Sequence, residues 1–170
     1  VYIVIINAVN LIDGLDGLAA GIGLLASVAF GFIFYYSGNV PLSLLAFVLS
    51  GSLLGFLIFN FSPARIFMGD SGSLLIGLVL CVLAINSISE DYSNSPDWLS
   101  LLNKPVLAMS ILVYPLIDTI RVFSLRVIRG KSTLVADKNH IHHHLSRRGL
   151  GHIGSDLLLY LYTLFIVSSQ

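Results

Sequence analysis

Hydrophobic positions fall along this chain in long blocks rather than in alternating or heptad patterns. Five blocks approach the length of a membrane span, at roughly 17–37, 42–60, 72–89, 105–122 and 154–170. About 20 consecutive apolar residues cross the hydrocarbon core as one helix. Residues 1–9 read as the tail of a sixth. The pattern predicts an all-α, polytopic transmembrane helix bundle with five full spans and part of another. Polar residues interrupt the blocks in three dense clusters: Asn10-Leu-Ile-Asp13-Gly-Leu-Asp16-Gly, Phe67-Met-Gly-Asp70-Ser-Gly and His140-Ile-His142-His143-His144. Ionisable groups kept at the edge of a membrane protein mark chemistry more often than folding.

Composition strengthens this reading. The 170 residues are 56% hydrophobic and 11% charged, against about 25% charged in soluble domains. No signal-peptide pattern is visible. Cys81 is the single cysteine, so no disulfide within the chain and no thiolate metal site is expected. The chain opens on Val1 and closes on Gln170 as a span completes. It reads as one integral-membrane catalytic domain over 1–170, lacking an N-terminal portion.

Charge gives the orientation. The connections are 10–16, 38–41, 61–71, 90–104 and 121–152. Arg65 lies in the third, and the fifth carries Arg121, Arg126, Arg129, Lys131, Lys138, Arg147 and Arg148; Lys104 alone lies in an even-numbered one. Basic residues stay on the cytoplasmic side, so the odd-numbered connections, with all three polar clusters, are expected there. Tyr92 and Trp98 fit the outer interface. The charge distribution calls for no nucleic acid.

Each cluster has a bland explanation to set beside a functional one. Asn10, Asp13 and Asp16 are spaced by three and would share a face in a helical turn. Their oxygens suit a hard cation such as Mg²⁺, and Gly14 and Gly17 permit close backbone approach to a ligand. The plain alternative is that Asp13 or Asp16 caps the helix beginning near Leu18. Asp70 stands at a helix start, where a carboxylate suits the dipole and the free N–H groups would also take a phosphate. There too an N-cap is the ordinary account. Asn60 adds an amide at the same end.

Residues 121–152 form the long cytosolic loop, with seven basic residues and all five histidines. His140 and His144 are four apart, which raises zinc, but no cysteine assists, and an anion clamp for nucleotide phosphates fits better. A juxtamembrane loop against anionic headgroups is the bland counterpart. Asp118 and Arg121 suit an i,i+3 ion pair. Gly51 and Gly55 make a Gly-x-x-x-Gly packing signal, within the bundle or between the two copies of a homodimer.

Together these motifs resemble the polyprenyl-phosphate N-acetylhexosamine-1-phosphate transferases, glycosyltransferase family 4. Asn10-Leu-Ile-Asp-Gly-Leu-Asp-Gly-Leu, the stretch from Asn60 through Phe67-Met-Gly-Asp70-Ser-Gly-Ser-Leu, and the His-Ile-His-His run occur in the family's order over essentially the whole chain. The resemblance implies a bacterial inner-membrane, multi-pass enzyme with its active site on the cytoplasmic face. It implies that HexNAc-1-phosphate passes from a UDP-N-acetylhexosamine to undecaprenyl phosphate with release of UMP, and that Mg²⁺, or Mn²⁺ in its place, is the cofactor.

Position by position, Asp70 looks like the metal ligand, with Asn10 near the ion and the diphosphate. Gly14, Asp16, Asn60 and Phe67 look like the uridine pocket, with Phe67 stacked on uracil. Asp13 resembles a catalytic carboxylate beside the pyrophosphate, and His142, His143 and His144 resemble the motif on the sugar-diphosphate side. The family's paired aspartates and a lysine precede the segment matched here. Residues Asp137-Lys-Asn-His140-Ile-His-His resemble the UDP-GlcNAc branch, which starts O-antigen, common-antigen or teichoic-acid units. The His142–His144 triplet keeps the phospho-MurNAc-pentapeptide transferases as the alternative. A transporter would place charge at mid-membrane, and the centres of spans 17–37, 42–60 and 72–89 hold none. A catalytically dead scaffold subunit is disfavoured by intact Asp13, Asp16, Asp70 and His142–His144.

Overall fold

The computed structural model describes residues 2–14, 16–93, 95–100 and 103–128. Every element among them is helical: α1 (Tyr2–Ile12), α2 (Leu18–Ser37), α3 (Val40–Asn60), α4 (Gly69–Ser89), the short α5 (Asp97–Ser100), α6 (Lys104–Ile111) and α7 (Val113–Ile128). Lipid offers no partner to backbone N–H and C=O groups, so a spanning segment must satisfy them within itself. Three of these helices, α2, α3 and α4, are long and apolar enough to cross a membrane. The predicted span 154–170 and the histidines at 140, 142, 143 and 144 lie outside the described residues.

The apolar block at 105–122 is not one helix. It divides at Leu112 into α6 and α7, and the second half runs on through 121–128, which the sequence assigned to the loop. Pro115 supplies the reason. A proline has no N–H to return to the carbonyl four residues back, here Ile111, and its ring crowds that carbonyl. In the first turn of a new helix the missing donor costs nothing, so α7 begins two residues before Pro115. The regular pattern resumes with Leu116 N–H bonding the Leu112 carbonyl at 3.3 Å.

α2 is the central helix and α3 the peripheral one. Phe30 and Phe34 of α2 are fully buried, whereas Leu44, Val48, Leu54 and Ile58 of α3 face outward. Small residues set the close crossings, as expected where lipid removes the hydrophobic drive between helices. A Cβ on Gly77 of α4 would stand 2.9 Å from Ile6 Cα of α1, so these two backbones nearly touch. Gly31 of α2 gives way to the Phe47 ring in the same manner. Gly51 and Gly55 do not: a Cβ at either meets nothing within 4 Å among the described residues. The Gly-x-x-x-Gly signal therefore marks an open face of α3, not a crossing within the described bundle.

The first four connections sort to opposite ends as their parity requires. At one end, Asn39 Nδ2 donates to Glu90 Oε2 at 2.9 Å, and Lys104 Nζ donates to the Glu90 carbonyl. The first and third connections meet at the other. Tyr92, at the same end as Glu90, is buried. Its hydroxyl donates to the Ser87 carbonyl at 2.8 Å, and Lys104 lies 4.9 Å from its ring centre.

If Pro115 makes the break, Pro115→Ala should join α6 to α7. Spin labels at the exposed positions 106 and 120 would then separate towards the roughly 21 Å rise of a continuous helix. An unchanged distance would assign the break to packing instead of to proline.

Candidate functional site

Asn10 is not in a turn, as the spacing suggested, but on the last turn of α1, and the turn proper begins at Asp13. Neither aspartate of this turn caps α2. Gly17 takes that position with φ 82°, a left-handed conformation that favours glycine, and no side chain caps the helix. The aspartates are thereby left for other partners. Asp16 Oδ2 accepts from the Ala64 N–H at 3.0 Å, tying the first connection to the third.

Asn60 makes the second tie. Its side chain is 4% exposed. Oδ1 accepts from the Gly17 N–H at 3.0 Å, and Nδ2 donates to the Ile66 carbonyl at 2.8 Å. A buried amide must find such partners or pay for its desolvation. One side chain thus fixes the start of α2 and the shape of the 61–68 loop. Nearby, Phe67 is 78% exposed, an aromatic face left to solvent beside the cluster.

The third tie crosses from α1 to α4. Asn10 Nδ2 donates to Ser73 Oγ at 2.8 Å and to Asp70 Oδ1 at 3.2 Å. A carboxylate only accepts, so this contact fixes which end of the Asn10 amide faces Asp70. Asp70 lies in the first turn of α4, as its position in the sequence implied, and does not cap it; Met68 occupies the cap position without a side-chain bond. Ser73, a motif residue with no role evident from the sequence, is fully buried. Its only signal was a place three residues beyond Asp70, on the same helix face.

These ties gather Asp13, Gly14, Asp16, Asn60, Phe67 and Asp70 around one cavity of about 230 Å³, with Met68 and Gly69 completing the wall. Six positions named from sequence thus share one space, and Asn10 stands behind it through Asp70. Burial, and then the charge of Asp70, push the Asp13 carboxyl up from the ordinary 3.8 to about 6. A like charge facing the same space adds to the cost of ionising Asp13.

A divalent cation would relieve that repulsion. No cluster of three His, Cys, Asp or Glu side chains able to hold an ion occurs among the described residues. This donor set fits a hard cation that keeps waters and takes oxygens from a bound phosphate, as Mg²⁺ does. It does not fit a closed zinc site.

The raised Asp13 carboxyl carries a consequence for stability without metal. The folded state holds a proton on Asp13 up to about pH 6, the unfolded chain only to about 3.8. The penalty is therefore absent below about pH 4 and grows as pH rises through 6. In EDTA, the melting temperature of the intact protein should carry a falling component over that window, and Asp13→Asn should remove it. Added Mg²⁺ should offset it above pH 6. An identical slope in Asp13→Asn would place the titration on another group.

Residues 1–88 match the family model described as glycosyl transferase family 4. The chain is 41% identical over 169 residues to the decaprenyl-phosphate N-acetylglucosaminephosphotransferase of Mycolicibacterium smegmatis, a match covering 93% of this chain and 42% of the relative. It is 38% identical over 157 residues to a Bacillus subtilis protein named "Probable undecaprenyl-phosphate N-acetylglucosaminyl 1-phosphate transferase", covering 92% and 42%. A phospho-N-acetylmuramoyl-pentapeptide-transferase of Moorella thermoacetica is 52% identical over 84 residues, covering 49% of the chain and 26% of the relative. The chain thus spans less than half the length of these curated relatives. With a family model matched over half its residues and nearly all of it aligned to relatives about 40% identical, the chain belongs to glycosyl transferase family 4.

Proposed function

We propose that the protein transfers a HexNAc-1-phosphate, GlcNAc-1-phosphate above the alternatives, from a UDP-sugar to a polyprenyl phosphate in a bacterial membrane. The observation that carries this reading is the joining of Asp13, Asp16 and Asp70 around one cavity at the end of an apolar bundle. The relatives aligned along most of the chain are named as polyprenyl-phosphate GlcNAc phosphotransferases. Arg65 at that end, together with the basic residues of 121–152, supports a cytoplasmic site.

In the reaction an oxygen of the lipid phosphate attacks the β-phosphorus of the UDP-sugar. The bridging P–O bond breaks, its oxygen leaves with the α-phosphorus as UMP, and the product is a lipid-linked sugar diphosphate. The cavity is smaller than the roughly 300–1,000 Å³ of a site for a drug-sized ligand. It suits the diphosphate and leaves the uridine to lie across the exposed Phe67 ring. Asp70, oriented by Asn10, is the residue to hold Mg²⁺, with Asn10 close by. Bound there, the ion would supply charge neutralisation for the phosphoryl oxygens.

Asp13 stands beside the same space with its carboxyl raised to about 6, near the range in which a carboxylate serves as proton acceptor at neutral pH. Asn60 and Asp16 hold the walls of the uridine side through Gly17, Ile66 and Ala64. His142, His143 and His144 are assigned to the sugar-diphosphate side by their motif. A second cavity, about 340 Å³ and almost wholly apolar, is lined by Val4, Ile85, Ala108, Met109 and Leu116 among others, and suits the lipid's hydrocarbon chain.

Membranes carrying the intact protein should release UMP when given undecaprenyl phosphate, Mg²⁺ and UDP-GlcNAc. Release only with UDP-MurNAc-pentapeptide would move the protein to the branch whose Moorella member matches half the chain. No release with any UDP-HexNAc would overturn the proposal in favour of a transporter or scaffold. Asp70→Asn should lower turnover by about a hundredfold or more, since a bound metal contributes several kcal/mol to such a transition state. Wild-type turnover in that variant would remove Asp70 from the metal.

A further inference from the structure

The α1–α4 interface holds two residues whose placement points beyond packing. α1 runs towards the cavity and α4 away from it, so the two helices are antiparallel. Ile6 and Asn10 are one turn apart on α1, and Gly77 and Ser73 are one turn apart on α4. Ile6 meets Gly77, and one turn nearer the cavity Asn10 meets Ser73.

The first contact has no slack. A Cβ on Gly77 would fall 2.9 Å from Ile6 Cα and 3.1 Å from the Ile6 carbonyl oxygen, and both are backbone atoms that cannot rotate aside. The second depends on that closeness, because Asn10 Nδ2 reaches Ser73 Oγ at 2.8 Å. The Ser73 hydroxyl is itself aimed by its own helix, with the Gly69 carbonyl at 3.2 Å and the Asp70 carbonyl at 3.3 Å as acceptors for its proton. Its lone pairs are thereby turned towards α1. With one donor held by Ser73, the Asn10 amide is left in position to donate to Asp70 Oδ1.

We propose that Ser73 and Gly77 are positioning residues for the Asp70 carboxylate: Gly77 sets the separation of α1 and α4, and Ser73 uses it to lock the Asn10 amide that orients Asp70. Neither residue lines the cavity. The assignment rests on the proposed metal-dependent transferase for its kinetics, but the positioning itself is read separately as ion binding. Outer-sphere partners of a metal ligand typically change affinity or activity by about 10–100-fold when removed.

The test compares wild type, Ser73→Ala, Ser73→Thr and Gly77→Ala in the intact, detergent-solubilised protein. Mn²⁺ alone serves as the probe, with bound ion counted by electron paramagnetic resonance, and UMP release is followed against UDP-GlcNAc and Mg²⁺. Ser73→Ala should weaken Mn²⁺ binding and raise the half-saturating Mg²⁺ by about tenfold. It should lower kcat while leaving KM for the UDP-sugar within about twofold, because the uridine walls hang on Asn60 and Asp16 instead. Ser73→Thr, which keeps the hydroxyl, should recover most of the loss, and Gly77→Ala should reproduce the Ser73→Ala defect.

Wild-type Mn²⁺ binding in Ser73→Ala would overturn the proposal. So would equal impairment in Ser73→Ala and Ser73→Thr, which would show packing alone. If Gly77→Ala does not fold, the two Ser73 variants still decide the matter. Wild-type protein that binds Mn²⁺, loses it in Ser73→Ala and yet releases no UMP would uphold the positioning and remove the transferase reading. Wild-type protein that binds no Mn²⁺ would overturn the positioning, whatever its activity.

Discussion

The near contact of α1 and α4 backbones at Ile6 and Gly77 is the constraint on which the polar end of the bundle depends. Within a bilayer, helices gain little by hiding apolar surface from one another, because lipid tails are equally apolar. Close approach must come from a missing side chain, and Gly77 provides it. One turn further along, the same separation lets the amide of Asn10 reach both Ser73 and Asp70. A wider crossing would leave a carboxylate at a helix start and an amide at a helix end with no reason to meet.

The remaining polar contacts divide the labour between the ends of the bundle. At the cavity end, Asn60 and Asp16 bind backbone groups across 43 and 48 residues of sequence, so the first and third connections behave as one unit. At the opposite end, Asn39, Glu90, Lys104 and Tyr92 contact one another and nearby backbone. Between the ends, buried serines such as Ser27 and Ser50 return their hydroxyls to carbonyls of their own helices. Polar groups that could serve a ligand are thus concentrated where helices stop. That follows from the cost of an unsatisfied polar group in hydrocarbon.

The electrostatics of the cavity carry the same stamp. Burial and the neighbouring Asp70 raise the Asp13 carboxyl, a strain a well-packed bundle would have no reason to keep for its own sake. A perturbed carboxyl beside an exposed aromatic ring and a helix N-terminus suits a ligand rich in phosphate.

Much of this was legible in the sequence. The apolar blocks at 17–37, 42–60 and 72–89 correspond to α2, α3 and α4 to within three residues at each end, and the basic residues separated the connections into two sets. The polar clusters picked out Asp13, Gly14, Asp16, Asn60 and Asp70 before any of them had a neighbour, and the family resemblance added Phe67. Other features were not legible. Pro115 lay in plain view inside an apolar block, yet hydropathy carries no record of a missing N–H, so the break at Leu112 went unread. Gly51 and Gly55 carried the recognised packing pattern and pack on nothing described, while Gly77, without a pattern, makes the tightest helix crossing against backbone. Asn60 had the residue type of a ligand contact, and only its burial revealed an amide occupied with Gly17 and Ile66. By itself the sequence determined which segments are helices and which residues sit at their ends, because those depend on local hydropathy and backbone chemistry. Only the tertiary structure decided which ends meet and which polar atoms remain for a ligand, because both follow from distances between residues far apart in the chain.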